Sequence, residues 1–154
     1  MGEADVVRLE QQLCFALYSA SRAMTTCYRP LLEDLGLTYP QYLVMLALLE
    51  SEPVTVKDLG ATLRLDSGTL SPLLKRMEAA GLVVRARSAA DERSVTVALT
   101  EAGRALGPRI AEVPRGVLAA SGSSREQIVA LQGEVAAFLA RMETAAQDPD
   151  RSEP

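Results

Sequence analysis

A chain of 154 residues with a net charge of −4, 48% hydrophobic and only 4% aromatic, has the length of one ordinary domain and can bury a core without disulfides or metals. It has no histidine and two cysteines, which excludes Ser-His-Asp triads, Cys-His dyads and most zinc sites, so no enzyme, metal centre or cofactor is expected. No apolar run reaches the roughly 20 residues of a membrane span, and the acidic opening Met1-Gly2-Glu3-Ala4-Asp5 is unlike a secretion signal, so a cytoplasmic protein with reduced thiols is expected.

Leu9, Leu13, Leu17 and Met24 recur near helical spacing, with Phe15 and Tyr18 widening the stripe, and predict one helix over about residues 4–28, interrupted by Pro30. Gly36 closes the short segment that follows. Thr38-Tyr39-Pro40-Gln41 is a capping box with proline in the first turn, opening a second helix to about Glu50. Thr55 caps a third helix, with Leu59 and Leu63 inward; Asp66 or Ser67 caps a fourth, which Gly81 ends. Leu82-Val83-Val84 and Val95-Thr96-Val97 switch to period two, as short strands around a polar tip. Thr100 caps a fifth helix, interrupted near Pro108 and Pro114, and Ser123-Ser124-Arg125-Glu126 is a capping box for a sixth, to about Thr144.

A capped helix followed by a β-hairpin makes the chain a winged helix-turn-helix, mainly α with a small β-hairpin wing, whose expected partner is double-stranded DNA. Ser67, Gly68, Thr69, Ser71 and Pro72 open the fourth helix, where short side chains and free N–H groups allow close approach to phosphates and base edges. Lys75 and Arg76 follow one turn later, and Arg85 and Arg87 lie on the first strand of the hairpin. At its tip Asp91 is expected to fix the turn or the arginine side chain while Arg93 reaches into the minor groove. From Arg64 to Arg93 the charge is +2, leaving −6 for the rest, so the local face opposes the acidic total, though only modestly.

The flanking helices carry more apolar residues than a small central module can cover. Val117, Leu118, Ile128, Leu131, Val135, Phe138, Leu139 and Met142 call for a partner surface, and an isologous homodimer supplies one. Such a dimer sets two recognition helices roughly 34–36 Å apart, the spacing of successive major grooves on an inverted repeat. The expected organisation is a sensor and dimerisation segment at 1–36, the winged module at 37–103, C-terminal dimerisation helices at 104–146 and a disordered polar tail at 147–154.

The order Arg85-x-Arg87, Asp91-Glu92-Arg93, Leu99-Thr100-x-Ala102-Gly103 resembles the MarR family of dimeric winged-helix regulators, over nearly the whole chain. Leu13-Cys14-Phe15-Ala16-Leu17-Tyr18, Ser21-Arg22, Tyr28-Arg29-Pro30-Leu31-Leu32 and Leu37-Thr38-Tyr39-Pro40-Gln41-Tyr42 resemble its organic-hydroperoxide-sensing branch, OhrR. The resemblance implies that Cys14 is the peroxide-reactive thiol, that Tyr28 and Tyr39 are its hydrogen-bond partners, and that Phe15 and Tyr18 help form the pocket. Cys14 and Tyr28 stand 14 residues apart, about 21 Å along one helix, so the contact has to come from the second subunit.

The function so implied is a repressor that holds its operator when reduced and is released when an organic hydroperoxide oxidises Cys14, with small cellular thiols as later reactants. Some relatives resolve the oxidised sulfur with a C-terminal cysteine, and this chain has none after Cys27. It therefore resembles the one-cysteine type, with Cys27 structural or, alternatively, bridged to Cys14 of the partner subunit. Two other readings stay open: a regulator that binds a phenolic ligand reversibly, and a thiol peroxidase.

Overall fold

The computed structural model describes residues 8–147. In chain order these form α1 (Leu13–Glu33), α2 (Tyr39–Glu50), β1 (Val54–Thr55), α3 (Val56–Leu63), α4 (Ser67–Ala79), β2 (Val83–Arg87), β3 (Val95–Leu99), α5 (Glu101–Ala105), α6 (Gly107–Ser121) and α7 (Arg125–Ala146). The fold is a winged helix-turn-helix, mainly α with one small antiparallel sheet.

The first helix departs from its predicted limits at both ends. Leu9–Gln11 is a single 3-10 turn and Gln12 is extended, so α1 begins only at Leu13. The Gln12 side-chain amide donates to the Arg8 carbonyl at 3.3 Å and competes with a helical backbone bond there. Residues 4–7 of the predicted helix, like 148–154 of the predicted tail, lie outside the described residues. Nor does Pro30 interrupt the helix, which runs through it to Glu33. Only the Thr26 carbonyl loses its helical donor, and both residues are exposed, where water can take its place. Gly36, at φ 68°, ends α1: its N–H donates to the Glu33 carbonyl and that of Leu37 to the Leu32 carbonyl, both at 3.0 Å.

Capping sets the next boundaries. Thr38 Oγ1 accepts from the Gln41 N–H and Gln41 Oε1 from the Thr38 N–H, the reciprocal pair that starts α2. Thr55 caps α3, Asp66 caps α4 and Thr100 caps α5. Between α3 and α4 the chain turns sharply, with Arg64 left-handed at φ 55°. A Cβ on Gly60 would stand 2.9 Å from the Leu65 carbonyl oxygen, so glycine lets α3 close on that turn.

The sheet has strand order β1-β3-β2. The hairpin pairs Val83 with Leu99 through Arg87 with Val95, longer strands than the sequence predicts. β1 was not predicted; it pairs Val54 with Val97 and Thr55 with Thr96, far along the chain. The core beneath combines Tyr42, Met45 and Leu48 of α2 with Leu70, Leu74 and Met77 of α4, closed by Val83 and Val97.

The described residues divide into two compact units, one ending at Val117 and one starting at Leu118. Pro108 falls in the first turn of α6, just after the break at Leu106 where proline needs no donor, whereas Pro114 lies inside α6 without interrupting it. Val117 is not partner-seeking surface but core, 4% exposed. In the second unit the box that opens α7 pairs Ser124 with Gln127, one residue later than predicted. No α7 residue is buried, and Val129, Leu131, Val135, Leu139 and Met142 are exposed.

Candidate functional site

Helix α4 is amphipathic. Leu70, Leu73, Leu74 and Met77 are buried, while Gly68, Ser71, Pro72, Lys75 and Arg76 recur at helical spacing on the exposed side, with Ser67 and Thr69 exposed in the first turn. Asp66 Oδ1 accepts from the Thr69 N–H at 2.8 Å, and Asp66 Oδ2 from the Thr69 hydroxyl at 3.2 Å. Thr69 is thus engaged in capping.

The hairpin is anchored to α4 through Arg85. Its backbone N–H donates to Glu78 Oε1 at 3.1 Å, and its Nε and Nη2 donate to Glu78 Oε2 at 3.2 and 2.8 Å. These bonds hold the Glu78 carboxyl below the ordinary carboxylate range. Arg85 therefore joins wing to helix, whereas Arg87 is exposed at the end of β2.

At the tip, Asp91 Oδ1 accepts from the Arg93 N–H at 3.0 Å and its carbonyl from the Ser94 N–H at 2.9 Å. Asp91 fixes the turn through the backbone of Arg93, and among the described residues no ion pair engages the Arg93 guanidinium. Ser71, Arg85, Asp91 and Arg93 line one groove of about 400 Å³, together with Lys57 of α3.

The far end of the hairpin is clamped from two sides. The Thr100 hydroxyl donates to the Gly81 carbonyl at 2.6 Å, and the Thr100 N–H to the Leu82 carbonyl at 3.0 Å. Glu52, just after α2, accepts from the Leu99 N–H and from Arg104 Nε. Burial works against the Glu52 carboxylate, but these two donors outweigh it and bring its pKa below the ordinary value.

The residues implied as a sensor fall into two groups on α1 and α2. Cys14, Phe15 and Tyr18 are exposed on the first turns of α1, beside exposed Leu13 and Leu17. Arg22 Nη1 donates to the Tyr18 hydroxyl at 2.8 Å and its guanidinium lies 5.5 Å from the Tyr18 ring centre. Further along, Tyr28 packs edge-on against Tyr39, ring centres 4.9 Å apart. Both stand against Tyr42, at 5.6 and 6.1 Å. Burial, then the neighbouring Tyr39, raises the Tyr28 pKa, and burial drives that of Tyr42 to about 12, so both hydroxyls stay protonated at neutral pH. Cys14 and Tyr28 do occupy one continuous helix, about 21 Å apart along its axis. Cys27 is half-buried and packs against the core.

Comparison with known proteins gives this arrangement a family. Residues 35–94, from the end of α1 to the hairpin tip, match the family model described as MarR family. The organic hydroperoxide resistance transcriptional regulator of Bacillus subtilis is 50% identical over 135 residues, spanning 88% of this chain and 92% of the relative.

The chain belongs to the MarR family.

Its fold also matches a solved structure of reduced AbfR bound to DNA, at a TM-score of 0.72 and 35% identity over 88% of this chain and 94% of that one. A structure of overoxidised AbfR bound to DNA matches at 0.71 and 36%, over 88% and 95%; AbfR is a protein of Staphylococcus epidermidis. As a member of this family the chain is a transcriptional regulator and not an enzyme.

Three features of this MarR-family chain have no local signal in the sequence. Tyr42 stands within a motif, and only the packed structure makes it complete the tyrosine cluster from inside the core. Lys57 faces the α4–wing groove; its place in the first turn of a Thr55-capped helix was legible, its proximity to the wing was not. Glu78 is seven residues from Arg85 on another element, a spacing that no helix or strand periodicity picks out.

Proposed function

We propose that the protein is a homodimeric repressor that binds an inverted-repeat operator while Cys14 is reduced and releases it after an organic hydroperoxide oxidises that sulfur. The carrying observation is the split of one sensor between two ends of one helix. Cys14 lies exposed in an apolar patch at the start of α1, and its tyrosine partners lie too far along to reach it. A second subunit set against the first would bring Tyr28 and Tyr39 onto Cys14 of the partner subunit and cover Leu13, Phe15, Leu17 and Tyr18. The uncovered apolar residues of α7 support the same assembly.

In the proposed reaction the Cys14 thiolate attacks the terminal peroxide oxygen. An S–O bond forms and the O–O bond breaks; sulfur gives up two electrons, and the departing alkoxide takes a proton from water to leave as the alcohol. The protonated Tyr28 hydroxyl serves as a donor to sulfur rather than as an acid. A small cellular thiol then displaces hydroxide from the sulfenic acid, giving a mixed disulfide and water. The description of AbfR as DNA-bound even when overoxidised favours this bulky adduct, rather than added oxygen atoms, as the releasing form.

On DNA, α4 enters the major groove through Ser67, Gly68, Ser71 and Pro72, Lys75 and Arg76 meet phosphates, Arg87 joins them from the wing, and Arg93 enters the minor groove. Arg85 acts through Glu78, holding the wing against α4, and Thr69 and Asp91 shape the helix start and hairpin tip. An adduct that fits badly among the tyrosines changes the spacing of the two winged modules. A 100-fold loss of affinity needs only about 2.7 kcal/mol of difference between the two forms.

The test is Cys14→Ser with an operator selected by the reduced protein from random duplexes. The variant should bind as wild type does and ignore cumene hydroperoxide with a small thiol present. Normal release from the variant contradicts the proposal and favours a reversible ligand; sustained peroxide turnover by wild type favours a peroxidase.

A further inference from the structure

We propose that Tyr42 is the positioning residue of the thiol sensor: a buried ring on which Tyr28 and Tyr39 are seated so that both hydroxyls reach one sulfur. The inference rests on the reading of Cys14 as sensor and adds a residue to it. Tyr28 comes from α1, while Tyr39 and Tyr42 are three residues apart and share one face of α2. The capping box fixes the first turn of α2, and so where Tyr39 starts.

Burial separates the three rings. Tyr42 is 2% exposed and belongs to the core, whereas Tyr28 and Tyr39 are half-buried and pack onto it. A core ring has one place to sit, because the close-packed cluster it belongs to, with Met45 one turn further along α2, leaves it no free volume. The ring-centre distances of 4.9, 5.6 and 6.1 Å close a triangle in which each tyrosine touches the other two. Without the third ring, the only ring contact left to Tyr28 and Tyr39 is the edge contact between them, and the preference of aromatic pairs for a given geometry is weak. Two hydroxyls that must converge on one acceptor lose most from such slack, since a displacement of about 1 Å lowers the rate of a reaction that depends on them.

The experiment compares Tyr42→Phe and Tyr42→Leu in the full-length protein. Cys14 oxidation by one equivalent of cumene hydroperoxide is followed by rapid quench and mass spectrometry, and operator affinity of the reduced protein is measured alongside. Tyr42→Phe keeps the ring and should oxidise within twofold of wild type. Tyr42→Leu should oxidise at least fivefold more slowly while the reduced form holds the operator within about threefold of wild type. Oxidation of Tyr42→Leu at the wild-type rate overturns the proposal, as does a Tyr42→Phe variant as slow as Tyr42→Leu, which would make the hydroxyl and not the ring the active part.

If Tyr42→Leu does not fold, ring-labelled NMR of Tyr28 and Tyr39 in wild type and Tyr42→Phe decides. Slow ring flips in both support a fixed seat, and fast flips in wild type overturn it. These outcomes stay distinct from failure of the sensor reading, which appears as a Cys14→Ser variant still released by peroxide.

Discussion

Gly103→Ala tests how tightly the wing is closed at its base. A Cβ at this position of α5 would lie 2.2 Å from the Leu82 carbonyl oxygen and 3.3 Å from a Leu99 methyl, where ordinary contact begins at 3.4 Å. The backbone has to give by about 1 Å, as an overpacked core does, at about 1–3 kcal/mol. The carbonyl that must move also accepts from the Thr100 N–H at 3.0 Å, a bond that contributes about 1 kcal/mol. Against this, alanine is favoured over glycine in a helix by about 1 kcal/mol. The net loss is roughly 2 kcal/mol, which at a urea slope of about 1–3 kcal/mol/M lowers the unfolding midpoint by at least about 0.7 M. Equilibrium unfolding of both proteins at one concentration, which a dimer requires, is the assay. A midpoint within about 0.3 M of wild type would refute the close approach of α5 to the Gly81–Leu82 turn.

Three further outcomes follow from the DNA-facing side. Arg93→Ala should weaken operator binding by about 1–3 kcal/mol, roughly 5- to 150-fold, with hairpin structure kept because Asp91 bonds the backbone and not the side chain; a change under twofold in fluorescence anisotropy would remove Arg93 from the interface. Lys75→Ala should weaken binding to all sequences alike and make the salt dependence shallower by about one unit, and an unchanged slope would contradict a phosphate contact. For Glu78→Gln the sign comes from a depressed carboxyl: its contribution is complete above the ordinary carboxylate pKa and disappears as pH falls through the lowered one. The variant should therefore melt below wild type at pH 7 and converge with it in acid, and a gap constant with pH would argue against the Arg85 pair.

Local signals carried much of the fold. The pairs Thr38–Gln41, Thr55–Asp58 and Thr100–Gly103 lie three residues apart and mark helix starts that the structure keeps. Pro30 and Pro114 both remain inside helices; at Pro30 the freed carbonyl belongs to exposed Thr26, which water can reach, whereas at Pro114 it belongs to buried Ile110, and nothing in the structure explains its tolerance. Long-range pairings were hidden for a different reason. Two residues of β1 carry no period, and their partners Val97 and Thr96 are about forty positions away. The candidate site divides similarly. The exposed face of α4 and the Cys14 segment were legible as motifs, while the seat that Tyr42 gives Tyr28, and the Glu78 grip on Arg85, exist only once separate elements pack.

The most direct test of the account follows one sample in two ways. Reduced protein on fluorescent operator is titrated with sub-stoichiometric cumene hydroperoxide in the presence of a small thiol, and each point is divided between anisotropy and intact-mass analysis. The account predicts that release rises in step with the fraction carrying a thiol adduct at Cys14 and is reversed by dithiothreitol. Full adduct formation with the operator still bound, or release with Cys14 unmodified, would contradict it.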